Sequence, residues 1–264
     1  MYILTHEVID LACLGRGRHR ERAVPDREGC YRPLMNGTTV DVVIPALNEE
    51  EALPRVLAAI PENVRRVVVA DNGSTDATAQ VAASAGAQVV FEPERGYGAA
   101  CLKALRLLRE DPPDIVVFLD GDYSDHPEEM PNLVSPIASG EADFVVGSRA
   151  RGRRDRGALT PQQRAGNWFA CFLLKRLYGA SFTDLGPFRA IRWQALEQMR
   201  MQDRDYGWTL EMQIKAARLG LAYLEVPVSY RCRIGQSKIS GTLRGTVGAG
   251  TKILYTMGRY AWSR

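Results

Sequence analysis

From Val40 onward, short and almost unbroken apolar runs alternate with stretches in which apolar residues recur every three or four positions. The runs at 40–44, 67–70, 88–91 and 115–119 are too short for helices and are bounded by polar or glycine-containing turns. They predict buried strands. Between them, 49–59 carries Leu53, Val56 and Leu57 at helical spacing with Ile60 just beyond, 77–85 follows a Ser74/Asp76 start signal, and 99–108 repeats Leu102, Leu105, Leu107 and Leu108. Strand and helix in alternation predict an α/β fold with a Rossmann-like, mostly parallel sheet flanked by helices. Ligands of such sheets bind beyond the carboxyl ends of the strands, where Asn48, Asp71, residues 94–98 and Asp120 all fall.

After a strand at 144–147 the alternation gives way to an arginine-rich loop, a helix from about 162 to 178 and a mixed segment over 182–192. A helix over 208–219, a strand over 222–228 and glycine-punctuated sequence follow. Residues 1–38 show no lasting period and are expected to form a flexible N-terminal extension outside a single domain at 39–264.

Composition narrows this picture. A chain of 264 residues, 45% hydrophobic and 25% charged, suits one large α/β domain better than two. The net charge of +3 gives no reason to expect nucleic acid as a partner. The arginines are nevertheless uneven: Arg149, Arg151, Arg153, Arg154 and Arg156 face only Asp155 across eight residues. Such a run either meets phosphates or an anionic membrane, or is a solvated loop. The five cysteines are scattered with no C-x-x-C pair, which fits a reducing cytoplasm rather than a disulfide framework or zinc site. No apolar run approaches the roughly 20 residues that span a bilayer. The expected location is cytoplasmic, with any membrane contact peripheral, at the inner face.

The sharpest chemical signal is Asp120-Gly121-Asp122, two carboxylates at the end of the run 115–119. Hard anionic oxygens at a strand end suit Mg²⁺ or Mn²⁺, and such ions keep open positions that let them bridge protein and diphosphate. Gly121 lets the backbone approach a ligand. Alone, the same pattern also reads as a turn with solvated acids. Two further polar turns share its edge, however: 43–50 (VIPALNEE) and 71–76 (DNGSTD).

With these three turns in this order, the chain resembles the family 2 glycosyltransferases of the GT-A fold, from about residue 40 to 260. Asp120-Gly121-Asp122-Tyr123-Ser124-Asp125-His126-Pro127, Gly147-Ser148-Arg149 and the segment 233–238 (RIGQSK) resemble the branch that makes dolichyl- and polyprenyl-phosphate sugars. The resemblance implies an inverting, metal-dependent hexosyltransferase that uses a nucleoside diphosphate sugar, UDP- or GDP-linked, with polyprenyl phosphate or another small molecule as acceptor. Residues 39–148 would form the nucleotide-sugar half and 149–264 the acceptor half.

The same resemblance implies residue roles. Pro45, Ala46, Asn48 and Glu49 would line the nucleoside pocket, although Asn48 also reads as a helix N-cap. Asp71 would accept a hydrogen bond from the base, although it also reads as an Asx-turn aspartate, with Gly73 shaping its turn, and Gly96 would pass close to the nucleotide. Asp122 would bind the metal directly, and Asp120 would meet ribose or metal-bound water. Arg149, Arg233, Ser237 and Lys238 would be phosphate donors, and Asp184 would belong to an acceptor-side segment. Glu211, at the start of an apolar helix, reads either as a catalytic base or as a carboxylate favoured by the helix dipole. Three alternatives stand beside this reading. They are transfer to a hydroxyl of a sugar, glycerate or glycolipid, a non-catalytic nucleotide-sugar-binding subunit, and a nucleotidyltransferase, which would usually carry an early basic glycine-rich loop where 46–51 is acidic.

Overall fold

The computed structural model of the chain describes residues 37–235, 251 and 254–260. Nearly all of the expected extension at 1–38 lies outside them, as do Ser237 and Lys238. Strands β1 (Val40–Ala46), β2 (Arg66–Asp71), β3 (Gln88–Phe91) and β4 (Ile115–Phe118) alternate with helices α1 (Leu53–Ala59), α2 (Thr78–Ser84) and α3 (Tyr97–Leu108). Then come α4 (Met130–Ala138), β5 (Phe144–Ser148), α5 (Pro161–Tyr178), β6 (Arg189–Arg192), α6 (Trp193–Met199), α7 (Trp208–Arg218) and β7 (Tyr223–Pro227).

The seven strands form one sheet in the order β3-β2-β1-β4-β6-β5-β7. All neighbours are parallel except β6, which runs antiparallel to both β4 and β5. Strand residues alternate between two cores, as a pleat of period two requires. Val43, Val68, Val116 and Phe118 face α3, α5, α6 and α7, while Val42, Ile44, Val69 and Val117 face α1, α2 and α4. Burial on both faces is why the strands read as continuous apolar runs.

Three elements depart from the sequence pattern. Helix α4 contains Pro131 in its first turn and Pro136 in its interior, which removes a backbone donor and masks the helical signal. Strand β6 begins and ends in arginine, and Arg189 is fully buried, its guanidinium bonded to the carbonyls of Leu185, Gly186 and Thr209. Helix α6 follows β6 without a loop.

On β1, Asp41 is wholly buried and takes Nη2 of both Arg65 and Arg66 at 2.7 Å. Arg66 is its cross-strand partner, so this cluster fixes the β1–β2 register. Asp41→Asn leaves Arg66 without its carboxylate partner and Arg65 with only the exposed Asp111, 3.0 Å from its Nη1. The expected cost is about 3 kcal/mol, the low end for a broken buried pair because both arginines keep some access to water, and a fall in Tm of roughly 6–12 °C. Calorimetry on the variant checks this.

Candidate functional site

The carboxyl ends of β1, β2 and β4 and the start of α3 open on a cleft of about 330 Å³. Pro45, Ala46, Leu47 and Glu49 form its first wall, leaving β1. Asn72 follows β2, and its side chain acts as a clasp: it donates to the carbonyls of Glu92 and Glu94 (3.1 and 2.7 Å) and accepts from Gly96 N at 2.8 Å. Arg95, Gly96 and Tyr97 lead into α3 along the cleft, and Tyr206 closes the far side.

Asp120, Gly121 and Asp122 form the floor. A Cβ on Gly121 would stand 3.4 Å from Ile44 Cγ2, so the turn is pressed against the β1 exit. Asp120 accepts from the Tyr97 hydroxyl at 3.2 Å. Asp122 Oδ1 accepts from the amide and hydroxyl of Ser124 (2.9 and 2.5 Å), and Oδ2 meets Arg233 Nη2 at 2.8 Å. Burial, and then the negative charge of Asp122, push the Asp120 carboxyl up to about 7. Asp125, buried behind them, has neither oxygen hydrogen-bonded among the described residues, and burial with its acidic neighbours raises it well above the usual carboxylate range. Burial and acidic neighbours thus oppose ionisation of Asp120 and Asp125, and a cation beside them would favour their charged forms, which fits a site for a cation. No group of three or more His, Cys, Asp or Glu forms a metal cage among the described residues. An ion on Asp122 and Asp120 would therefore share its remaining positions between ligand oxygens and water.

Arg233 is carried over the floor by backbone bonds that run along it: Arg231 N to Ser124 O at 2.9 Å and Ile234 N to Asp122 O at 3.0 Å. It also lies 3.7 Å from Glu49 Oε1. Tyr123 has φ 64°, a region costly for an aromatic residue, and the Arg231 guanidinium caps its ring at 3.6 Å.

Several expected residues lie elsewhere. Asp71 closes an Asx turn onto Ser74 N (2.9 Å) and does not line the cleft, whereas its neighbour Asn72 does. Gly73, at φ 78°, packs against the Arg95 guanidinium. Asn48 is no helix N-cap: its backbone amide and side-chain oxygen cross-link to Ser74 and Thr75, beside a second, smaller hollow. Arg149 is half-buried and pairs with Asp184 by Nε and Nη2 (2.9 and 2.7 Å), with its own amide on the same carboxylate. Arg149, expected to face a phosphate, thus pairs with Asp184 as its counter-ion, and neither residue is in the cleft lining.

Glu211 also lies away from the cleft. It is fully buried and absent from the cleft lining. Its oxygens accept from the amides of Gln202 (3.0 Å) and Asp203 (2.7 Å), from the Tyr260 hydroxyl (2.5 Å) and from Lys215 Nζ (2.6 Å). These bonds tie Glu211 to the loop 202–206. That loop abuts α3: Ala99 N bonds to Arg204 O at 2.9 Å, and a Cβ on Gly96 or Gly98 would collide with the carbonyl of Arg204 or Asp203. Gly96 has φ 147°, so glycine is required there on both counts. Asn72, Tyr97 and Tyr206, to which sequence reasoning gave no separate role, shape the cleft through contacts that a linear motif does not display.

Comparison with known proteins agrees with this geometry. The family model described as glycosyl transferase family 2 matches residues 41–200. An uncharacterised glycosyltransferase of Mycobacterium tuberculosis is 43% identical over 81% of this chain and 95% of its own. The undecaprenyl-phosphate mannosyltransferase of Micrococcus luteus is 29% identical over 77% of this chain and 88% of its own. Among solved structures, glucosyl-3-phosphoglycerate synthase from M. tuberculosis, in complex with Mn²⁺, UDP and phosphoglyceric acid, superposes with a TM-score of 0.68 at 26% identity, covering 86% of this chain and 79% of that one. The sheet and its flanking helices are thus of the expected GT-A type.

Glu211→Gln breaks the buried pair with Lys215 and turns an amide donor toward the backbone N–H groups of 202 and 203. The expected cost is roughly 3 kcal/mol. Transfer by the folded fraction should stay within about tenfold of wild type, since loss of a true general base costs about 10² to 10⁴-fold. Single-turnover rates, corrected for folded protein by circular dichroism, check this.

Proposed function

This chain belongs to glycosyltransferase family 2, and from that premise we propose that it moves a hexose from a UDP-linked sugar to polyprenyl phosphate with the help of Mg²⁺ or Mn²⁺. The observation that carries the proposal is the convergence of Asp120, Asp122, Glu49 and Arg233 on one cleft at the carboxyl edge of the sheet. UDP is favoured over GDP by the solved relative's complex with UDP and Mn²⁺. The lipid phosphate is favoured by the mannosyltransferase relative. Such an acceptor is membrane-borne, so transfer would take place at a membrane surface; no described helix is long and apolar enough to cross one.

In this reading Pro45, Ala46 and Glu49 line the nucleoside end of the cleft, and Asn72 fixes the turn beside it. A divalent ion bound at Asp122 and Asp120 would supply Lewis-acid neutralisation of the leaving diphosphate. Arg233, 2.8 Å from Asp122 in the free protein, exchanges that carboxylate for a phosphate oxygen, a trade between two charge-assisted partners. The Tyr97 hydroxyl and Ser124 hold the two aspartates in place on the floor. Ser237 and Lys238 continue the chain from Arg233 and Gly235 and are proposed as further phosphate donors.

Acceptor chemistry fits the commitment of Glu211 to the loop. A phosphate monoester has its second pKa near 6 and is largely dianionic at neutral pH, so its oxygen attacks the anomeric carbon without a base. Attack from the face opposite the diphosphate inverts that centre. A second reading, transfer to a hydroxyl of a small phosphorylated acid, is favoured by the phosphoglyceric acid bound in the solved relative; it would need a base drawn from Glu49, Asp120 or Asp122, the carboxylates of the described lining.

The test offers UDP-glucose with Mn²⁺ or EDTA to wild type and to Asp122→Asn, with a short-chain polyprenyl phosphate or 3-phosphoglycerate as acceptor. Expected are a glucosyl polyprenyl phosphate of inverted anomeric configuration by NMR, no product in EDTA, and a fall in kcat of about 100-fold or more in the variant, since a neutral amide holds the cation poorly. Product only on phosphoglycerate would establish the second reading. Undiminished turnover in EDTA would remove the metal, and no turnover or donor hydrolysis with any acceptor would leave a binding subunit.

A further inference from the structure

Helix α5 is an 18-residue rod fixed at both ends: a Thr160/Gln163 capping box and Pro161 start it, and Gly179 in the left-handed region ends it. Among its side chains only Ala170, Cys171 and Leu174 are buried. Trp168 is 67% exposed, Phe169 42% and Phe172 46%. Water-facing aromatics of this size are uncommon, and three on one helix call for an explanation. At 100° per residue they share one face, and Trp168 and Phe172 stack with ring centroids 5.8 Å apart. Arg164, Lys175 and Arg176 are exposed around that face, and α5 contains no Asp or Glu. The loop leading into it adds exposed Arg151, Arg153, Arg154 and Arg156 against Asp155 alone.

We propose that this aromatic and cationic face of α5 is the surface by which the protein docks on an anionic phospholipid bilayer. Aromatic rings settle at the level of the headgroups, and basic residues beside them meet lipid phosphates; together they hold a helix in the plane of an interface. Charge decides against a second copy as the occupant, because a symmetric contact through this face would set the same arginines and lysines against each other. The placement also suits the proposed acceptor. Asn167, next to Trp168, accepts from Leu185 N (2.8 Å) and donates to Thr183 O (2.9 Å), which seats α5 on both sides of Asp184 and its partner Arg149. A bilayer under Trp168 therefore lies about one helix diameter, roughly 10 Å, from the expected acceptor segment. Only this last link rests on the proposed function.

The experiment uses the full chain with phosphatidylcholine vesicles, with and without phosphatidylglycerol, free of polyprenyl phosphate and nucleotide sugar. Co-sedimentation with the anionic vesicles alone is expected, weakening as salt is raised. A blue shift of tryptophan emission on binding should be absent in Trp168→Phe. The double variant Trp168→Gln/Phe172→Gln should bind roughly tenfold or more weakly, and each of Arg164→Gln, Lys175→Gln and Arg176→Gln roughly fivefold more weakly. These side chains are exposed and outside the cleft, so Tm and Mn²⁺–UDP affinity should not change. Equal binding to neutral vesicles, no binding to either, or undiminished binding by the double variant would overturn the proposal. So would a dimer, seen by sedimentation velocity, that the double variant abolishes, since it would assign the face to a second copy. Vesicle binding that persists while polyprenyl phosphate fails as acceptor would fault the proposed function and leave the docking surface standing.

Discussion

Two carboxylates ending a buried parallel strand repel each other unless something positive stands between or above them. At Asp120 and Asp122, burial first and then this repulsion raise the Asp120 carboxyl, and Arg233 supplies a counter-charge from one side. Much of the surrounding architecture serves this arrangement. Ser124 and Tyr97 hold the aspartates, the segment 230–234 lies along 122–125 so that Arg233 reaches the floor, and Gly121 permits the turn to press on the β1 exit. A site of closely set carboxylates, with Arg233 as an exchangeable cation beside them, is suited to take up a metal and a diphosphate together, because each neutralises what the other brings.

The cleft is also supported from a distance. Glu211 gathers Gln202, Asp203, Lys215 and Tyr260, and the loop it holds presses its carbonyls against Gly96 and Gly98. The helical residues 254–260 are thereby joined to the wall that includes Tyr97 and Tyr206. A buried carboxylate at the start of a helix is often the first candidate for a base. Here its bonds run to the loop 202–206, Lys215 and Tyr260, and the proposed acceptor, a phosphate monoester, would need no base.

Legibility in the sequence followed the range of the forces involved. The parallel strands and the first three helices were readable because burial on both faces imposes unbroken apolar runs and helical repeats within a few residues. The Asp120-Gly121-Asp122 floor was readable because both groups belong to one turn. Strand β6 and helix α4 were not, since Arg189 finds its partners on loop carbonyls and α7, and Pro136 hides the helix around it. The commitments of Arg149 to Asp184 and of Glu211 to Tyr260 cross 35 and 49 residues, and nothing local announces them. Asn72 showed the opposite difficulty: it stood inside a recognised turn, but its clasp on Gly96 depends on where β3 delivers the chain. Whether the aromatics of α5 belonged to a core was likewise a tertiary matter, decided by the few residues that α5 buries.

Mutual dependence of metal and nucleotide is the most direct test of this view of the floor. Free Mn²⁺, followed by its paramagnetic resonance signal, should disappear to one equivalent per chain when UDP is present and remain largely free when UDP is absent, because Asp120 and Asp122 alone offer too few ligands. Linkage then requires Mn²⁺ to tighten UDP binding by the same factor. UDP affinity that is identical in Mn²⁺ and in EDTA, or full Mn²⁺ uptake without nucleotide, would contradict a shared site on the two aspartates.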